Sequence, residues 1–101
     1  MPSYLIANIE LRDAERYREY VEHVPALVAK HGGRYLVRGG DARVLEGQWS
    51  PARLIVLEFP DRAAALGFYA DPAYEPYKTL RQSISDSSLM LVDGYEQPHK
   101  S

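Results

Sequence analysis

The sequence has no cysteine, which excludes disulfides, thiolate nucleophiles and zinc–thiolate centres. It has no apolar run near the roughly 20 residues that span a bilayer, so no membrane partner is expected. It also lacks any block of like charge. Twelve Lys and Arg stand against fourteen Asp and Glu, for a net charge of −2 and a pI of about 5.9. The basic residues are interspersed with acids, so no basic stripe exists to neutralise phosphates and no nucleic-acid partner is expected. Neither G-x-G-x-x-G nor G-x-x-x-x-G-K-[ST] occurs, which removes the common nucleotide loops. The opening MPSYLIANIELRD has neither the basic lead nor the long apolar stretch of a secretory signal. With the missing cysteines, this makes the cytoplasm the expected location.

What is present suits one small domain. The 101 residues are 46% apolar and 26% charged, an ordinary globular composition for a single core. Residues 1–96 read as the domain and 97–101 as a short polar tail containing Pro98. Tyr4 to Leu11 alternates as a strand, with Leu5, Ala7, Ile9 and Leu11 on one side and Tyr4, Ile6, Asn8 and Glu10 on the other. Asp13 is placed to cap a helix whose stripe runs Tyr17, Tyr20, Val21, Val24, Leu27, Val28 and His31. Pro25 is expected to kink or split that helix near His23, because it lacks an N–H. Gly32-Gly33 stops it.

Arg34 to Arg38 reads as a strand, and Ala42 to Glu46 as its bent continuation or a hairpin arm. Arg53 to Phe59 (RLIVLEF) is the strongest strand, with Leu54, Val56 and Glu58 opposite Ile55, Leu57 and Phe59. Asp61 caps a second helical region, which Pro72 ends or bends before a short piece through Tyr77, Leu80, Arg81 and Ile84. Ser87 to Tyr95 is the last strand. The expected fold class is α+β: a ferredoxin-like βαββαβ chain with an antiparallel four-stranded sheet and two helices on one face. The other face is apolar too, which a solvated antiparallel sheet avoids. A homodimer formed by sheet-to-sheet packing is therefore the expected partner state.

The stretches HGGRYLVRGG (His31–Gly40), EGQWSPARLIVLEFPD (Glu46–Asp61) and FYADPAYEPYKTLRQ (Phe68–Gln82) resemble the DUF1330 family, within the dimeric α+β barrel superfamily. The resemblance covers nearly the whole chain. It implies a ferredoxin-like protomer in a dimeric α+β barrel. It brings no reaction and no cofactor, and fold alone does not fix function.

Several residues are candidates for chemistry. Arg38 ends a strand at a glycine-relaxed bend, where a guanidinium can grip a carboxylate or enolate oxygen, or stand simply as a surface arginine. Glu58 is a carboxylate in an apolar strand. Burial would raise its pKa and make it an acid or base, whereas an arginine partner would make it structural. Tyr69, Tyr74 and Tyr77, with Phe68, and Trp49 from the preceding turn, suit the wall of an apolar pocket or plain packing. Arg81 follows Tyr77 by four residues and shares its helix face. His23, beside the Pro25 kink, is a second proton-transfer candidate. His31 suits the helix C-terminus. Asn8 either lines a cleft or fixes an internal contact. His23 and His31 are about two turns apart and make no metal site. No cofactor is expected.

Three functions stay open. One is a cofactor-free enzyme acting on a small anionic or aromatic metabolite by proton transfer, with oxygenation suggested only by the superfamily. The others are a noncatalytic ligand-binding dimer and a structural dimer. The enzyme needs an arginine beside a carboxylate or histidine in one accessible hollow; the binder needs only the hollow.

Overall fold

A computed structural model describes residues 1–95; residues 97–101, the expected tail, lie outside it. The described residues form β1 (Ser3–Leu11), α1 (Ala14–Lys30), β2 (Arg34–Arg38), β3 (Leu54–Phe59), α2 (Arg62–Tyr69), α3 (Glu75–Ile84) and β4 (Ser85–Asp93). The strands make one antiparallel sheet in the order β2-β3-β1-β4.

Two expectations about the architecture are corrected. The sheet does not close into a barrel. Strands β2 and β4 are its two free edges, whereas closure requires every strand to have two neighbours. The helices among the described residues number three, because the second helical region divides at Asp71–Tyr74 into α2 and α3. There Asp71 accepts from the Ala73 amide at 2.9 Å and turns the chain.

Local signals explain the elements. Asp13 accepts from the Arg16 amide at 3.1 Å and Asp61 from the Ala64 amide at 2.8 Å, so each satisfies a free first-turn donor. Pro25 does not split α1. Val24 and Val28 flank it and are both deeply buried, so tertiary packing holds the helix across the lost hydrogen bond. Residues 42–46 form no strand and lie exposed in an arm between β2 and β3. The last strand starts at Ser85, directly after α3.

The helices cover one sheet face. Leu5, Ala7 and Ile9 of β1 and Ile55, Leu57 and Phe59 of β3 form the core with Val24, Val28, Ala65, Phe68 and Ile84. Gly33 allows close approach, since a Cβ there would come within 2.6 Å of the Phe59 ring. The end of α1 is tied to the α2–α3 turn through Asp71. His31 Nε2 stands 2.8 Å and Lys30 Nζ 3.0 Å from its Oδ2. The His31 contact, the Ala73 amide and Lys30 hold the Asp71 carboxyl well below the usual carboxylate range.

A group with a depressed folded-state pKa contributes stability above its unfolded pKa and loses it as pH falls toward the folded one. Asp71→Asn is therefore expected to lower the thermal midpoint at pH 7, with the deficit shrinking below about pH 4, where Asp protonates in the unfolded chain. Melting curves of both proteins across that range check it. An equal deficit at every pH would contradict it.

The opposite face is open. Across it, Val37 pairs with Val56, Val56 with Ile6, and Ile6 with Met90, giving one apolar row over all four strands. Met90 and Val92 are exposed, as are Leu45 and Trp49 of the arm.

Candidate functional site

A cavity of about 40 Å³ lies between the sheet and helices α1 and α3. Its floor is Leu5, Ala7, Ile9, Ile55 and Leu57. Its polar lining is Tyr17, Tyr20, Tyr35, Tyr74, Arg38, Arg53 and Arg81. Among the described residues no Asp, Glu or His lines it. Three guanidiniums thus border one small apolar hollow without a carboxylate to balance them.

Strand register explains their convergence. Ile9 pairs with Ser87, and its amide donates to the Arg53 carbonyl at 2.9 Å. Arg81 Nη1 donates to Ser87 Oγ at 2.5 Å. Arg53 and the Ser87-held Arg81 therefore flank Ile9 from the two neighbouring strands, whose spacing is about 4.8 Å each. Arg38 joins them through a bulge. Tyr35 pairs with Leu57 and Arg38 with Ile55, while the register shifts between Tyr35 and Val37. Regular alternation would put residues 35 and 38 on opposite faces. The extra residue turns both to the helix side, where the Arg38 guanidinium lies 4.7 Å from the centre of the Tyr35 ring.

Gly39 completes the arrangement. Its φ is +70°, and a Cβ would come within 3.0 Å of Cζ and Nη1 of Arg53. Its amide donates to the Leu54 carbonyl at 2.7 Å, closing the root of the arm.

Arg81 is only 2% exposed and forms no ion pair among the described residues. Its Nε and that of Arg53 are buried without a hydrogen-bond partner among the described residues. Burial pushes the Arg81 guanidinium down, but Tyr74 and Tyr20 outweigh it, so the group sits above its ordinary value and stays charged. The hydroxyls of Tyr20 and Tyr74 are 2.6 Å apart. Burial pushes Tyr17, Tyr20 and Tyr35 above the usual phenol range; Arg53 and Arg81 oppose it at Tyr17, and Arg38 opposes it at Tyr35. At neutral pH these hydroxyls are donors, not anions.

Of the residues singled out from sequence, Arg38, Phe68, Tyr74 and Arg81 come together here. The others do not. Glu58 sits on the open sheet face, 2.7 Å from Arg34 Nε and 3.2 Å from the Tyr4 hydroxyl. The Arg34 contact leads in lowering its pKa. Burial still pushes it up, but Arg34 and Tyr4 outweigh that push, because strand parity turns Glu58 away from the core and beside these partners. His23 is exposed, with Nδ1 2.8 Å from the Glu19 carbonyl oxygen and its ring stacked on Tyr77 at 5.3 Å. Tyr69 stands behind Tyr74, with Lys78 Nζ 4.3 Å from its ring centre. Asn8 anchors the arm: its Nδ2 donates to the Ser50 carbonyl at 3.2 Å and its Oδ1 accepts from the Ala52 amide at 2.8 Å. Trp49 is 75% exposed and borders a second hollow on the open face with Ile6, Pro51 and Met90.

Arg53, Tyr17, Tyr20 and Tyr35 were not singled out. Arg53 shares the parity of Ile55, Leu57 and Phe59, which is the signal that places it inward. The described residues contain no cluster of three or more His, Cys, Asp or Glu able to hold a metal ion, and no helix long and apolar enough to cross a membrane.

The topology and the helix-side cavity define a small α+β protein of the ferredoxin-like kind. Residues 2–95 match the family described as a domain of unknown function, DUF1330, and the chain belongs to that family. No curated protein matches it. Among solved structures it is similar to a protein of unknown function from Rhodopseudomonas palustris, with 22% identity over 95% of this chain and 84% of that one and a TM-score of 0.78. It is similar to SnoaB, a cofactor-independent oxygenase from Streptomyces nogalater, with 17% identity over 95% of each chain and a TM-score of 0.65. A dimeric ferredoxin-like protein of unknown function from Jannaschia sp. shares 13% identity over 93% of this chain and 100% of that one, with a TM-score of 0.60. At these identities the likeness is one of fold.

Proposed function

We propose that the helix-side cavity widens from about 40 Å³ to take a small anionic metabolite with an apolar or aromatic body, and that the protein acts on it with its own side chains and no bound cofactor. The observation that carries this is the lining itself: Arg38, Arg53 and Arg81 around one hollow with no carboxylate among the described residues that border it. A buried, unpaired guanidinium is costly to fold around, and an anionic ligand removes that imbalance. The aromatic and aliphatic walls suit the ligand's body. The structural likeness to a cofactor-independent oxygenase is compatible with chemistry of this kind.

One observation favours a noncatalytic ligand-binding protein instead. Among the described residues no histidine or carboxylate lines the cavity, and burial makes Tyr17, Tyr20 and Tyr35 weaker acids than usual, so proton transfer has few agents near neutral pH.

The open face supports a homodimer by sheet-to-sheet packing along Val37, Val56, Ile6 and Met90. Burying such side chains is worth about 1.5–3 kcal/mol each. The dimeric character of the Jannaschia structure supports the same reading.

Calorimetric titration with benzoate and with benzyl alcohol tests the cavity. The expected result is saturable benzoate binding, at least about tenfold tighter than benzyl alcohol, as one charge-assisted contact provides. Equal binding of the two, or none, would remove the reading. A binder and an enzyme then separate by whether a bound acid is turned over.

A further inference from the structure

The deep end of the cavity holds three groups whose chemistry is more specific than positive charge. Tyr74 stands at the N-cap of α3, and Arg81 follows it by seven residues, two turns on and on the same face. Tyr20 reaches them from α1, with its hydroxyl 2.6 Å from that of Tyr74. In such a pair one hydroxyl donates to the other, and the second keeps its hydrogen for a further acceptor. Arg81 has five N–H donors. Nη1 gives one to Ser87, the guanidinium also faces the Tyr74 and Tyr20 hydroxyls, and Nε has no partner among the described residues. Tyr74 and Arg81 are 1% and 2% exposed, so these spare donors are poorly placed for bulk water.

We infer that Tyr20, Tyr74 and Arg81 form an oxyanion-binding group that holds the charged oxygen of a phenolate or carboxylate at the deep end of the cavity. This rests on the reading of the cavity as a small-anion site and adds which end takes the charge and in what ionisation state. Preorganised donors in a dry site favour the ionised form of an acid over its neutral form. The ligand's oxygen is then held as an anion, while its carbon body points along Ile9 toward Arg53 and Arg38.

The probe is 4-nitrophenol, whose absorbance distinguishes phenol from phenolate. Titrated across neutral pH with saturating protein, its ionisation midpoint is expected to fall by at least about one unit, equivalent to at least tenfold tighter binding of the phenolate. Tyr20→Phe and Tyr74→Phe should each recover part of that fall, and the double variant no more than the stronger single one, because the hydroxyls act as a pair. Binding with an unmoved midpoint would overturn the oxyanion group and leave the cavity reading standing. The same holds if the full fall survives both substitutions, since the charge would then lie at Arg38 and Arg53. No saturable binding of either form would remove both. The wild-type midpoint is informative even if one variant fails to fold.

Discussion

Arg81→Met is expected to give a folded protein that melts at a higher temperature and binds anions more weakly. Arg81 is a buried cation without an ion-pair partner among the described residues. Methionine keeps the length and much of the volume while removing the charge. Replacing buried charges with apolar side chains is often neutral or stabilising by about 1–4 kcal/mol. In a domain of this size about 1 kcal/mol moves the midpoint by roughly 4–8 °C. The lost contact to Ser87 is a small cost, since Ser87 is partly exposed and water can replace the guanidinium.

Benzoate affinity should fall between about tenfold and a hundredfold, the worth of a hydrogen bond to a charged group. The pairing of the two outcomes is what discriminates. A structural arginine would lose stability on substitution. A functional one, retained against its folding cost, gains stability and loses binding. Calorimetry and benzoate titration on the same sample read both.

The second large effect is expected at the open face. Ile6 is at the centre of the apolar row, paired with Val56 on one side and Met90 on the other. Ile6→Glu puts a carboxylate into the middle of the proposed contact. Two-fold symmetry places two such charges in one interface, at a desolvation cost of several kcal/mol each. The expected result is monomers in sedimentation at concentrations where the wild type is dimeric. Because Ile6 is only partly buried within one chain, circular dichroism should show the fold retained. A wild type that sediments as a monomer, or an unaltered dimer in the variant, would place the contact elsewhere.

Much of the fold is legible from periodicity. The parity of Leu5, Ala7 and Ile9, and of Ile55, Leu57 and Phe59, assigns both central strands to the core face. Asp13 and Asp61 mark helix starts, and the structure uses both as caps. The division of α2 from α3 is less legible, because the turn depends on Asp71 meeting His31 and Lys30 from a distant helix end.

The site was legible in pieces. Arg81 has the spacing from Tyr77 and Ile84 that directs it inward, and Arg53 has the core parity of its strand. Tyr17 and Tyr20 look like ordinary members of an apolar helical stripe, and only the neighbouring arginines distinguish them. Arg38 depends on a bulge that no turn residue announces before Gly39. Glu58 draws attention as a carboxylate among apolar residues, yet its own parity with Leu54 and Val56 directs it to the open face. Reading it as buried gives weight to the strand's composition over its alternation.

The most direct test of the anion cavity is a ¹H–¹⁵N spectrum of the arginine Nε–Hε groups during titration with benzoate. Arg53 and Arg81 are the two whose Nε atoms are buried without a partner. Their resonances are expected to move together and saturate, with those of Arg12 and Arg62 unmoved because these pair with Asp86 and Asp93. Movement confined to exposed arginines, or equal movement with neutral benzamide, would contradict the account.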